Sequence, residues 1–334
     1  MYRKLVMILL LILLLPLSAG ALTLKLATVA PEGSSWMVQM RQGADEVAKR
    51  TEGRVKIKLY GGGVMGNEKA VLRKIRIGQL QGGAFTSGAM AAVYPDLNLY
   101  SLPLLFDSLE EVDFIRAKMD KTLIAGLEKQ GFVCFGFAEG GMAVMFAQRP
   151  ISNLDELKGK KVWVPEGDLP SYAAMEANGL TPVTLPLTDV LTGLQTGLID
   201  VIGSSPLAAI AFQWHTQLKY FSPTPLSYIY AMLVVDARAM KKISASDRQV
   251  LHEVLGGIYA KLDKDNRGED AKAEEALLKQ GLIRGEPLQQ LAQMRATTDA
   301  ALAQRAADGL FSETLYTQIK DELRQYRNRS KAAQ

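Results

Sequence analysis

The chain has 334 residues, 48% of them hydrophobic and 22% charged, with a formal net charge of +4 that falls to +2 without Arg3 and Lys4. That length supports two lobes with cores of their own, and the near-balanced charge excludes the basic footprint of a nucleic-acid partner. One cysteine, Cys134, excludes an internal disulfide, and two histidines, His215 and His252, leave little for zinc or histidine-based catalysis.

Tyr2, Arg3 and Lys4 precede an apolar run from Leu5 to Leu15, which Pro16 breaks before Ala19-Gly20-Ala21. These three regions predict a cleaved secretory signal peptide over residues 1–21, the run being shorter than the roughly 20 apolar residues a bilayer span needs. The mature chain then begins near Leu22. Alternating Leu22, Leu24 and Leu26 predict a strand over 22–28, and 36–50 has helical spacing. A strand over 55–60, a helix over 68–77, a short apolar strand over 82–86, a helix over 109–130 and a strand over 132–137 follow. This alternation predicts a largely parallel sheet covered by helices.

A second cycle begins near Gly140. It predicts strands over 142–147, 160–164, 182–185 and 201–204, with helices over 172–178 and 188–196, the second capped by Thr188 or Asp189. A β-rich run over 227–235 is suited to bridge the lobes, and Ser244 or Ser246 caps the helix after it. From Asp263 to Arg327 the pattern is helical and charged, interrupted near Gly281–Pro287.

Catalytic signatures are sparse. No paired histidines, Cys-x-x-Cys or Gly-x-Ser-x-Gly elbow is present. Gly61-Gly62-Gly63-Val64-Met65-Gly66 matches G-x-G-x-x-G, but a first strand already precedes it and Asp96 follows Pro95 rather than ending a strand. A plain glycine turn accounts for it. Cys134, inside an apolar run, reads as a buried small hydrophobe.

Four segments carry a family resemblance. Gly66-Asn67-Glu68 with Leu72, Ile75 and Gly78 is similar to a "G-x-E, helix, G" segment. Tyr94-Pro95-Asp96-Leu97 with Leu102-Pro103-Leu104-Leu105-Phe106 is similar to a "YPEL…LPFLF" loop. Arg149-Pro150-Ile151 with Leu154, Asp155, Leu157, Lys158 and Gly159 is similar to "RPI…EDLKG". Leu194-Gln195-Thr196-Gly197 with Asp200 and Pro206-Leu207 is similar to "LQTGxVDG…NPL". Together, in this order, they resemble the DctP-type solute receptors of tripartite ATP-independent periplasmic (TRAP) transporters, from about Leu24 to Val254.

The resemblance implies an α/β, two-lobed periplasmic-binding-protein-like fold. Each lobe would be a mixed, mostly parallel sheet flanked by helices, with a hinge and a long C-terminal helix. Lobe I would take residues 22–140 plus 229–268, and lobe II residues 141–228 plus 269–330. It implies a receptor in the periplasm, without cofactor, metal or catalysis. The receptor closes on a small solute and delivers it to small and large membrane permease subunits, with a helical-repeat accessory protein or a sensory role as further options.

In many members an arginine in a "K-x-R-x-P" context clamps the solute carboxylate, a bidentate geometry suited to the guanidinium fork. Here Lys161-Val162-Trp163-Val164-Pro165 puts Trp163 at that position. A second arginine position aligns with Ala143, an asparagine with Ser205, an aromatic wall position with Leu187, and an acidic or polar first-lobe position falls near Ser87. A pocket so lined would favour an apolar face, since a carboxylate without a paired cation is strongly disfavoured. Glu166 and Asp168 are either solvated loop carboxylates or inward groups suited to a cation or polyol, with Trp163 as a cation–π face. Trp36, Tyr228, Tyr230, Phe212 and Trp214 read either as further walls or as core. An organic-acid receptor using Arg149, Arg73 or a metal, and an enzyme on the same scaffold, are the competing readings.

Overall fold

The structure is a computed structural model and describes residues 21–332, so the predicted signal peptide lies outside the described residues except for Ala21. The first half runs β1 (Leu22–Ala27), α1 (Ser35–Arg50), β2 (Val55–Tyr60), α2 (Glu68–Arg76), β3 (Gly82–Thr86), α3 (Ser87–Ala91) and α4 (Leu109–Lys129). Its helices begin where the sequence offers a short polar side chain. Ser34 accepts from the Met37 N–H, Asn67 from Ala70, Thr86 from Ala89 and Ser108 from Glu111.

The second half runs β4 (Phe132–Ala147), α5 (Leu154–Leu157), β5 (Val162–Pro165), α6 (Leu169–Ala177), β6 (Pro182–Leu185), α7 (Val190–Gln195), β7 (Val201–Ser204) and α8 (Pro206–Ala211). The chain returns along β8 (Tyr220–Asp236) and a short α9 (Ala237–Met240). It ends in α10 (Ala245–Lys279), β9 (Ile283–Arg284), α11 (Leu291–Ala307) and α12 (Glu313–Ala332). Ser244, not Ser246, caps α10 by accepting from Asp247, and Asp189 precedes α7 without a side-chain bond.

Among the described residues all nine strands form one sheet, ordered β2-β1-β3-β8-β4-β7-β5-β6, with β9 on β8. Pairing is parallel in β1/β2, β1/β3, β5/β6 and β5/β7, and antiparallel where β4 and β8 meet each other, β3 and β7. β4 and β8 run through both halves. The two predicted strands over 132–137 and 142–147 are therefore one strand. Gly140-Gly141 reads as a break, yet it makes an irregularity inside the ladder. The β4–β8 register shifts between Cys134 and Phe137, between Glu139 and Gly141, and between Ala143 and Met145. Gly141 takes φ 88°, a conformation costly for any other residue.

Two clusters sandwich the first half-sheet. One unites Leu97, Ile115, Leu123, Tyr230 and Met232, and the other unites Leu24, Leu26, Met40, Leu251 and Leu255. The second half-sheet has Phe146, Trp163, Ile202 and Trp214 on one face and Met145, Leu157, Val162 and Leu180 on the other. α10, roughly 50 Å long at helical rise, joins the halves, with Leu251, Leu255 and Tyr259 in a first-half cluster and Leu277 beside Trp163's. The expected second lobe includes residues 269–330, but α12 at its end packs on α4 of the first half, because Tyr316, Ile319 and Leu323 present a single apolar face to the first-half core. Among the described residues no helix is long and apolar enough to cross a membrane.

Candidate functional site

The halves enclose a cavity of about 750 Å3. Its walls come from the loop after β1, the start of α1, the junction of β3 and α3, the irregular stretch of β4 and β8, and from β5, α6, β7 and α8. Sheet register dictates this convergence, since the crossover loops of both half-sheets open toward the line where β4 and β8 change lobe.

Seven of the eight sequence-predicted site residues line it: Trp163, Ser205, Ala143, Leu187, Ser87, Trp36 and Tyr228. Trp163, 4% exposed, is wall and core together. Its indole N–H donates to the Leu185 carbonyl at 2.9 Å, and its ring meets Trp214 edge-on at 5.4 Å. Trp214 in turn stacks on Phe212 at 4.9 Å. Trp36 donates to the Tyr259 hydroxyl at 2.9 Å, so all three tryptophans of the chain reach the cavity. Tyr228 is a wall by its ring only, because its hydroxyl accepts from Arg116 at 3.1 Å on the far side. Ser205 spends its hydroxyl capping α8, accepting from Ala208 at 3.3 Å, and Ser87 shares a 2.8 Å bond with Ser101.

Glu166 is the exception and does not line the cavity. The chain turns directly after it at Gly167, φ 94°, and the Glu166 carboxylate lies at the rim. There it lies 3.6 Å from the Lys69 ammonium and accepts from the Asn67 side chain at 3.4 Å, both on or beside α2 of the other half. Asp168 does line the cavity and caps α6 by accepting from Ser171 at 3.0 Å. His215 turns Nδ1 to the Ala209 carbonyl at 3.0 Å, and His252 packs on Phe135.

The charge pattern is one-sided. Glu32, Glu68, Glu139, Asp168 and Glu269 line the cavity, and among the described residues no lysine, arginine or histidine does. Arg73 and Arg149 are both exposed elsewhere. Glu139 is neutralised by Arg267 at 2.7 Å, and Glu32 pairs with Arg41 at 2.7 Å. Among the described residues Glu68 pairs with no cation. It accepts from the Thr86 N–H at 2.6 Å and hydroxyl at 3.0 Å, while burial pushes its carboxyl up to about 7. Burial also raises Asp168 above the usual carboxylate range.

Sequence reasoning missed Glu68 as a site group, because Asn67-Glu68 reads as the opening of a helix. It also missed Ala174, Met175, Leu180, Met294 and Thr298, which reach the cavity from α6, its following turn and α11. The small-residue stripe at 3- and 4-residue spacing on α6 was the available signal.

Residues 26–308 match the family model described as bacterial extracellular solute-binding protein, family 7. The chain is 25% identical over 236 residues to the 2,3-diketo-L-gulonate-binding periplasmic protein YiaO of Escherichia coli, covering 70% of this chain and 72% of that one. A solved TRAP periplasmic solute binding protein from Chromohalobacter salexigens, with bound d-glucuronate, is similar at TM-score 0.82 and 21% identity, covering 90% and 99% of the two chains. DctP7 of Bordetella pertussis, an extracytoplasmic solute receptor binding pyroglutamic acid, has TM-score 0.82 and 21% identity over 91% and 100%.

Proposed function

Because the chain belongs to family 7 of the bacterial extracellular solute-binding proteins, and is thus a solute receptor, we propose that its solute is uncharged and apolar or amphipathic. The observation that carries this is the lining itself, apolar at Trp163, Trp214, Leu187 and Ala143 and without a cation among the described residues to hold an anion. A carboxylate brought out of water there would meet no guanidinium and would face Glu68 and Asp168, a costly arrangement. An apolar face against Trp163, Trp214, Leu187 and Ala143 meets no such cost. Burying a side-chain-sized hydrophobe contributes about 1.5–3 kcal/mol.

The receptor shuts on this solute as a population shift, since only the shut form offers both walls at once. It acts in the periplasm after loss of residues 1–21. It hands its cargo, chemically unaltered, to the small and large membrane subunits of a TRAP permease. Trp163 holds the place where a carboxylate-binding relative would keep its arginine.

Native mass spectrometry of protein purified without refolding, followed by extraction, tests the solute class. An uncharged compound is expected, and a tightly held mono- or dicarboxylate would sink the reading, restoring an organic-acid receptor with an unusual anchor. Trp163→Arg should weaken binding of the extracted compound. Unchanged binding would place Trp163 outside the contact surface.

A further inference from the structure

The glycine turn at residues 61–66 lies against the opposite half of the molecule. A β-carbon on Gly63 would sit 3.0 Å from the Thr188 methyl, and Gly63 already holds φ 71°. α2 begins as the turn ends. Asn67 caps it through Oδ1, which accepts from the Ala70 N–H at 3.0 Å. That bond fixes the amide, and its Nδ2 donates across the mouth to Glu166 at 3.4 Å. The Lys69 ammonium lies 3.6 Å from the same carboxylate. Directly after Glu166, a β-carbon on Gly167 would sit 2.7 Å from the Gly88 carbonyl oxygen. Glycine on both sides therefore lets the two backbones meet where side chains would hold them apart.

This seam lies outside the cavity. Gly63, Asn67, Lys69, Glu166, Gly167 and Thr188 are not lining residues, whereas their chain neighbours Glu68, Pro165, Asp168 and Leu187 are. The contacts join one half to the other without touching a solute. Among the described residues the ion-pair partner of Glu166 is Lys69, which belongs to the opposite half.

We propose that Lys69, Asn67 and Glu166 form a latch that favours the shut receptor whether or not a solute is inside. This rests on the halves opening and shutting, not on the class of solute. The glycines allow the close approach, and the latch adds a directional, salt-sensitive part. Lys69 is 82% exposed, so the latch changes the ratio of shut to open molecules by about threefold rather than by orders of magnitude. Salt weakens it, because in 1 M salt charges are screened over about 3 Å.

Pulsed electron paramagnetic resonance tests this on the full mature chain, emptied of small molecules by unfolding and refolding and checked by native mass spectrometry. Spin labels go on Gln42→Cys in α1 and Glu176→Cys in α6, both exposed and in opposite halves, while Cys134 is buried and stays unlabelled. The emptied protein should show a shut population whose ratio to the open one falls about threefold between 50 mM and 1 M NaCl. Glu166→Gln should lower the ratio by a similar factor at low salt and remove most of the salt response. Glu166→Lys should lower it further, and adding Lys69→Glu to that variant should restore it. If the emptied parent is wholly shut, Glu166→Lys and its rescue decide. No shut population in the emptied parent, a parent-like ratio and salt response in Glu166→Gln, or a double variant no better than Glu166→Lys overturns the latch. Each of these results leaves the solute class standing, because no solute is present.

Discussion

Glu68 shows how one carboxyl makes this cavity sensitive to pH. Burial lifts it from 4.5 to about 7, with a smaller push from Glu166, against the pull of the two Thr86 hydrogen bonds. In the unfolded chain it ionises near its ordinary value. Between 4.5 and about 7 the folded protein therefore holds a proton that the unfolded chain has lost, and stability falls as pH rises through that window. The loss is on the order of 3 kcal/mol. Urea unfolding at pH 5 and pH 8 checks it. The parent should be less stable at pH 8, and Glu68→Gln should remove most of the difference, leaving the parts due to other buried carboxyls such as Asp270, which burial raises to about 6, and Asp168. Equal slopes in both proteins would assign the effect elsewhere. Sequence alone could point to Trp163, because Lys161 and Pro165 frame its position. It could not place Glu166, three residues on, since the Lys69 and Asn67 side chains that meet its carboxylate lie about 100 residues earlier in the chain.

Among the elements, α10 holds the crossing strands in place. Asp263 accepts from Arg116 at 2.6 Å and from the Glu139 N–H at 2.9 Å, and Asn266 donates to the Glu139 carbonyl at 2.5 Å. Arg267 pairs with Glu139 and Asp113, and Asp270 accepts from the Leu207 N–H at 2.8 Å. Spacings of three and four put these side chains on one helix face, clamping β4 where its register shifts. In the sequence they look like a solvated charged surface, because Glu139 lies 128 residues before Arg267. The β/α alternation, by contrast, was legible in local patterns such as Leu22-Leu24-Leu26. Arg267→Met should leave the Glu139 carboxylate buried and unpaired, costing on the order of 2 kcal/mol given Arg267's partial exposure. A urea midpoint within error of the parent's would show that water replaces the guanidinium.

At the scale of the molecule, the halves come close across the mouth at several points, Gly63 beside Thr188 among them. Besides Glu166 with Lys69 and Asn67, the Asp168 backbone comes so near Gly88 that a β-carbon there would sit 3.4 Å from its nitrogen. Gly88 lies in α3 without a left-handed φ, so Gly88→Leu strains no backbone but drives a side chain into the opposite half. It should weaken binding of the co-purified compound on the order of tenfold and leave small-angle scattering unable to detect compaction on its addition. Parent-like affinity and compaction would mean that closure does not need this contact.

The strand order also governs how the chain is made. β8 stands between β3 and β4, so the first half-sheet stays incomplete until residues 231–235 have been synthesised. Domains in a nascent chain generally mature from the N-terminus onward. Here the earliest-translated portion must wait for segments beyond the whole intervening lobe, and the final helix must still fold back over α4. A stop codon placed anywhere before Leu323 would therefore injure the oldest part of the polypeptide first.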